Sequence, residues 1–96
     1  MARFELSPEA FADFAGLVDY TTKTWGTAQA NKYADALEHL LDQLAKFPFI
    51  GQERSELNPD LRSFPFQSHV VYYRPMDFGV RIFRVLHKSQ DPALHL

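Results

Sequence analysis

The chain has no cysteine among its 96 residues, which excludes a disulfide framework and any thiolate metal site. It also has no apolar run near the roughly 18 residues that a membrane-spanning helix needs. Residues 1–6 lack the pattern of a secretory signal and lead at once into a helix start. We therefore expect a soluble, cytoplasmic protein.

Known catalytic motifs are missing as well. The sequence has no G-x-S-x-G, no phosphate-binding glycine loop and no H-E-x-x-H. The four histidines are scattered, at positions 39, 69, 87 and 95, so their spacing predicts no metal site and no cofactor. His69 and His87 beside the strand arginines form the one arrangement suited to acid–base chemistry on RNA. The alternative is that both are hydrogen-bonded structural residues at strand ends.

What the chain does contain is a core. Hydrophobic residues make up 46% of it, with nine Phe, four Tyr and one Trp, which is typical of a folded protein. Its length predicts a single domain over residues 1–96.

Two helices are predicted in the first half. Ser7 suits an N-cap, Pro8 the first helical position, and Gly26 a helix end with positive φ. Thr27 is expected to cap a second helix, which Pro48 ends. The short link predicts an antiparallel hairpin. The apolar faces recur at helical spacing: Phe11, Phe14, Leu17, Val18, Thr21 and Trp25, then Ala30, Tyr33, Ala34, Leu37, Leu40, Leu41 and Leu44.

The second half predicts strands. Alternating or β-branched runs indicate strands at 2–6, 61–64, 69–74 and 80–86, with a loop at 49–60, a turn at 75–79 and a last helical turn at 91–94. The order β-α-α-β-β-β predicts an α+β fold: an N-terminal strand, then an antiparallel helical hairpin packed on a mostly antiparallel β-sheet.

Charge is distributed unevenly along the chain. Residues 61–90 hold five bases and one acid, or +4, whereas the rest hold five bases and eleven acids, or −6. Arg84 would share a strand face with Val80, Ile82 and Leu86. Such an arginine either pairs with a carboxylate from the helices or from loop 49–60, or belongs to a partner-docking patch. A pI near 6.0 argues against direct binding to a nucleic acid duplex.

An ordered set of segments resembles the ParE toxins of the RelE/ParE superfamily over essentially the whole chain. The segments are Leu6-Ser7-Pro8-Glu9-Ala10, Asp19-Tyr20-Thr21, Trp25-Gly26, Phe47-Pro48-Phe49-Ile50-Gly51-Gln52, Leu61-Arg62-Ser63-Phe64, Ser68-His69-Val70-Val71-Tyr72-Tyr73-Arg74 and Ile82-Phe83-Arg84-Val85-Leu86-His87-Lys88-Ser89-Gln90-Asp91.

The resemblance implies a type II toxin–antitoxin system. A toxin of this kind inhibits DNA gyrase, and a ribbon-helix-helix antitoxin (ParD-like) binds it in a hetero-oligomer and neutralises it. The expected antitoxin contacts are Arg62, Tyr73, Arg74, Arg81 and Arg84. The family's C-terminal region is implicated in toxicity, which points here to His87, Lys88, Ser89, Gln90 and Asp91.

The RelE branch of the superfamily cleaves ribosome-bound mRNA, which is the alternative function. Its residues here would be His87, Arg84 and Lys88. The loop before the sheet has only Arg54 as a base, and the tail has no tyrosine, so most of the ribonuclease set is absent. A non-enzymatic gyrase inhibitor is the expectation.

Overall fold

The computed structural model describes residues 1–96 and has the predicted α+β architecture. One strand precedes two helices, and four strands and a short 3₁₀ turn follow. The elements are β1 (Arg3–Leu6), α1 (Pro8–Trp25), α2 (Thr27–Lys46), β2 (Gln52–Glu53), β3 (Arg62–Phe66), β4 (His69–Met76), β5 (Gly79–His87) and the 3₁₀ turn Pro92–Leu94.

The start of α1 is fixed by Ser7, as the sequence predicts. Its Oγ accepts a hydrogen bond from the Ala10 backbone N–H at 3.0 Å and donates one to the Phe83 carbonyl at 2.8 Å. The first bond caps the helix, and the second ties the cap to β5. A single side chain therefore sets both the helix start and its position on the sheet.

A single residue, Gly26, separates the two helices. Its φ of 93° lies in the region that favours glycine. Its N–H donates to the Thr22 carbonyl, and its own carbonyl accepts from Ala30. The antiparallel hairpin is confirmed, but the predicted Thr27 cap is wrong. Thr27 is already the first helical residue, and Gly26 serves as the cap of both helices.

The five strands form one sheet in the order β1-β5-β4-β3-β2, in which only β1 and β5 are parallel. Strand β2 lies inside the predicted loop 49–60 and was not foreseen. Strand β4 also runs further than predicted, through Pro75 to Met76. Proline is tolerated there because β3 pairs with β4 only as far as Tyr73, which leaves one side of β4 without a neighbour.

Both helices cover one face of the sheet. The main core lies between the helices and the sheet and contains Leu37, Leu41, Leu44, Val71, Tyr73, Val80, Ile82 and Val85. We call the opposite side the open face. It carries a smaller cluster of Leu61, Tyr72 and Leu86. Neither helix is long and apolar enough to cross a membrane.

Helix α1 buries less of its predicted apolar face than expected. Ala10 and Thr21 are buried, but Phe11 is 65% exposed and Trp25 is 70% exposed. The apolar arc of α1 is wider than the strip that contacts the sheet and α2. Part of it therefore faces solvent.

A bulge in β5 changes which side chains share a face. Tyr72 is opposite Arg84, while the adjacent Tyr73 is opposite Ile82, so Phe83 is the extra residue. An extra residue shifts every later side chain to the other face. The predicted grouping of Arg84 with both Ile82 and Leu86 is therefore wrong. Ile82 lies in the helix-covered core, and Leu86 lies in the open-face cluster.

Candidate partner-binding site

Arg62, a predicted antitoxin contact, is engaged within the protein. Its side chain is 17% exposed. Its Nη1 donates to the carbonyls of Gly51 at 2.8 Å and Phe49 at 3.2 Å, and its Nη2 lies 3.3 Å from a Glu53 oxygen. The guanidinium therefore holds loop 49–51 and strand β2 against the sheet, as a structural ion pair does.

Tyr73 cannot contact a partner, so this part of the prediction is wrong. It is fully buried, and its hydroxyl donates to the Pro48 carbonyl at 2.8 Å and accepts from the Gly51 N–H at 2.9 Å. Burial raises the pKa of the phenol, so it stays protonated. Tyr73 anchors the chain just after α2.

Arg84 forms a forked ion pair with Asp13 of α1. Its Nε and Nη2 lie 2.8 and 3.0 Å from the two carboxylate oxygens, and its Nη1 donates to the His95 carbonyl at 3.1 Å. The bond to Asp13 raises the pKa of the guanidinium. Asp13 also accepts the Val85 N–H at 2.9 Å. Of the two readings left open by the sequence, the structure shows the structural ion pair for Arg84.

Arg74 and Arg81 differ from these two arginines because they remain accessible. They are directly opposite each other on β4 and β5, on the open face, and are 39% and 36% exposed. Each forms a long ion pair, Arg74 with Asp60 at 3.9 Å and Arg81 with Glu5 at 3.6 Å, and Arg74 also donates to the Pro59 carbonyl at 3.3 Å. Ion pairs this long and this exposed contribute little in water, so both guanidinium groups can still bind a partner's carboxylate.

Arg54 adds a further cation to the open face, although it is not among the predicted antitoxin contacts. Its guanidinium lies 5.7 Å from the centre of the Tyr72 ring, within reach of Ser63 on β3. It forms a 2.8 Å ion pair with Glu56. In the sequence it is a single base among acids, and only the return of loop 54–61 over β3 brings it to the sheet.

The open face also contains a groove of about 270 Å³. Arg74, Arg84 and one acid, Glu9, lie at its polar side, while Leu61 and Phe83 supply apolar surface. The combination of cations with apolar side chains suits a partner segment that carries both acidic and apolar residues.

The predicted toxicity residues (residues 87–91), which we call the tail, begin with the half-buried last residue of β5 and continue into an ordered, exposed turn. The His87 N–H donates to Gln90 Oε1 at 2.8 Å, and the Gln90 N–H returns to the His87 carbonyl at 2.9 Å. The Lys88 N–H bonds to the Ser68 carbonyl at 2.8 Å. Asp91 caps the 3₁₀ turn that follows.

His69 and His87 do come together, at the ends of β4 and β5. Their rings are perpendicular, with centroids 5.2 Å apart, and Tyr33 contacts His69 Nδ1 at 3.2 Å. Burial, then the neighbouring His87, lowers the pKa of His69. His69 and His87 are paired with each other at the end of the β4–β5 ladder, a relationship that their sequence positions do not reveal.

The alternative ribonuclease set does not converge. Arg84 lies on the open face and is bound to Asp13, whereas His87 lies on the helix side of the sheet beside His69. Lys88 follows His87 but is exposed and forms no ion pair, so no cation is fixed beside His87 to stabilise a phosphorane. No group of three or more His, Asp or Glu side chains is placed to hold a metal ion.

Comparison with known proteins identifies the family. A family model described as "ParE toxin of type II toxin-antitoxin system, parDE" matches residues 4–92. The chain belongs to the ParE toxin family. It is 36% identical to Toxin ParE1 of Caulobacter vibrioides over 96 residues, covering 100% of this chain and 99% of that protein. It is also 36% identical to Toxin ParE1 of Mycobacterium tuberculosis over 91 residues, covering 94% and 93%.

A third ParE relative and a solved structure agree with this assignment. Toxin ParE of Escherichia coli is 33% identical over 92 residues, covering 95% of this chain and 89% of that protein. The fold resembles a chain of the "Chromosomal ParDE TA system from P. aeruginosa" with a TM-score of 0.75 and 18% identity, over 91% and 96% of the two chains. At that identity the structural match supports the fold alone.

Proposed function

We propose that this toxin acts on DNA gyrase in the cytoplasm and that a ribbon-helix-helix antitoxin neutralises it by covering the open face. Membership of the ParE family is the observation that carries the proposal. The surface chemistry described above supports the assignment of the open face to the antitoxin.

The antitoxin segment that fits the open face is acidic. Arg74 and Arg81 are accessible and have no carboxylate closer than 3.6 Å. A partner's carboxylate would form shorter charge-assisted hydrogen bonds with either guanidinium. Complementary charge also speeds association, which a neutralising partner requires.

Gyrase is supported as the target by the family assignment and by the lack of a convergent catalytic set around His87. A protein that inhibits by binding needs an accessible, pre-ordered surface. The tail meets that requirement because its exposed side chains stand on a turn held by backbone hydrogen bonds.

The proposal is tested with purified toxin and reconstituted gyrase. We expect loss of supercoiling and accumulation of cleaved DNA, both reversed by the ribbon-helix-helix antitoxin. Unchanged supercoiling and cleavage at high toxin excess would refute the gyrase assignment. Toeprinting of translated mRNA in parallel distinguishes the alternative, since cut message would identify a ribosome-dependent ribonuclease.

A further inference from the structure

A cavity lies away from the open face, between the tip of the helical hairpin and the ends of β4 and β5. We call it the end groove. Its volume is about 720 Å³, within the range of ligand and side-chain pockets. Tyr20, Trp25 and Tyr33 line the helix side, and His69 and His87 line the strand side.

The end groove is free of formal charge. None of its ten lining residues is Lys, Arg, Asp or Glu, although these types make up 23% of the chain. Its polar groups are amides, hydroxyls and imidazoles, and burial lowers the pKa of His69, which keeps that ring neutral. A charged group entering the groove would lose hydration without gaining a counter-charge. The groove therefore favours an uncharged occupant.

The groove also offers hydrogen-bond donors that the protein does not use. The Ser89 N–H donates to His87 Nδ1, and the protonated Tyr33 hydroxyl is placed to donate to His69 Nδ1. Nε2 of each imidazole forms no hydrogen bond within the protein, and it is the donor in the tautomer whose Nδ1 accepts. The Trp25 indole N–H has none either. Unused N–H donors suit the carbonyl oxygens of a polypeptide.

Two aromatic side chains at the groove remain largely exposed. Tyr20 is 64% and Trp25 is 70% exposed, and neither forms a hydrogen bond within the protein. Large aromatic residues beside a pocket are the usual energetic centres of protein interfaces. His87 lines the groove and also begins the tail, so the groove and the tail form one continuous surface.

We propose that the end groove docks an uncharged segment of the toxin's target protein, which inserts an aromatic or aliphatic side chain between the hairpin tip and the His69–His87 pair. The inference rests on the proposed function, and it assigns the target to a surface separate from the open face. A protein is favoured over single-stranded nucleic acid because no lining cation neutralises a phosphodiester.

The test compares three variants of the full-length toxin: Trp25→Ala, Tyr20→Ala and the matched control Phe11→Ala. Phe11 lies on the same helix and is 65% exposed, but it is outside the groove. We expect the toxin concentration for half-maximal gyrase inhibition to rise at least tenfold for Trp25→Ala and severalfold for Tyr20→Ala. Phe11→Ala should stay within twofold, and all three should bind antitoxin with unchanged affinity.

The outcomes separate this inference from the proposed function. If the toxin inhibits gyrase and Trp25→Ala inhibits equally well, the groove is not the target site. If Trp25→Ala instead weakens antitoxin binding, the groove belongs to the antitoxin and the inference is wrong. Tight binding of a single-stranded oligonucleotide that quenches Trp25 fluorescence would also overturn it.

If the wild-type toxin leaves gyrase untouched, the gyrase assignment fails while the groove remains testable by growth arrest after induction. Loss of arrest in Trp25→Ala with arrest retained in Phe11→Ala supports target docking at the groove. Equal arrest in both variants refutes it.

Discussion

Replacement of Asp13 by Ala tests how α1 is held on the sheet. The Asp13 carboxylate is 16% exposed and accepts three hydrogen bonds: two from Arg84 and one from the Val85 backbone N–H. Val85 follows the bulge, where β1 no longer pairs with β5. Asp13 thus takes the place of a neighbouring strand at this edge.

The expected loss of stability in Asp13→Ala comes from the two groups that lose their hydrogen-bond acceptor. Asp13→Ala leaves a guanidinium that is only 21% exposed without its carboxylate. It also leaves the Val85 N–H without its acceptor. Removing one partner of a buried pair costs about 3–5 kcal/mol, and water reaching Arg84 reduces that value. We therefore expect a loss of about 2–4 kcal/mol in the free energy of unfolding.

Urea denaturation and thermal melting measure this loss. For a domain of this size it corresponds to a decrease in Tm of roughly 10–20 °C. The matched control is Asp19→Ala on the same helix. It breaks an ion pair in which Asp19 is 65% and Lys23 is 75% exposed, so it should cost less than about 0.5 kcal/mol.

A double variant isolates the unpaired charge. Asp13→Ala with Arg84→Met removes both charges, so we expect it to be more stable than Asp13→Ala alone. If Asp13→Ala is no less stable than Asp19→Ala, the carboxylate does not hold the helix and the reasoning is wrong.

Three further predictions concern other parts of the molecule. Arg74→Glu with Arg81→Glu should weaken antitoxin binding at least 100-fold by calorimetry at low salt, with gyrase inhibition unchanged; equal affinity would remove the open face from the antitoxin site. Because the pKa of His69 is lowered in the folded state, the unfolded state binds more protons, so stability should fall as pH drops through the ordinary value of 6.5. His69→Gln should flatten that fall in denaturation curves, while the exposed His39→Gln should not; identical slopes would contradict the assignment. Gly51→Ala should cost about 2–4 kcal/mol in urea denaturation because the new Cβ would collide with the Tyr73 hydroxyl; a near-neutral effect would show that the loop relaxes freely.

The sequence alone determined the local elements. The Ser7-Pro8 start, the Gly26 junction and the Pro48 stop define two helices to within a residue, since capping and proline chemistry act over a few neighbouring positions. The one-residue link then requires a hairpin. The β-branched and aromatic runs after residue 61 similarly indicate the three main strands of the sheet, although not their ends.

Tertiary structure decided which face of the sheet each side chain occupies and which partners it has. The bulge at Phe83 reassigns side chains to faces, and the return of a loop brings Arg54 onto the sheet. Only the fold separates Arg74 and Arg81, which are accessible and form long ion pairs, from Arg62 and Arg84, which are largely buried and form shorter ones.

The end groove is the clearest case of a feature that sequence patterns do not contain. His69 and His87 become neighbours only through strand pairing, and Trp25 reaches them only because the hairpin tip extends over the strand ends. Local propensity depends on a residue and its nearest neighbours along the chain, so the sequence fixes helices, strands and their order. A binding surface depends on register, bulges and packing between distant segments, and those are settled only when the chain is folded.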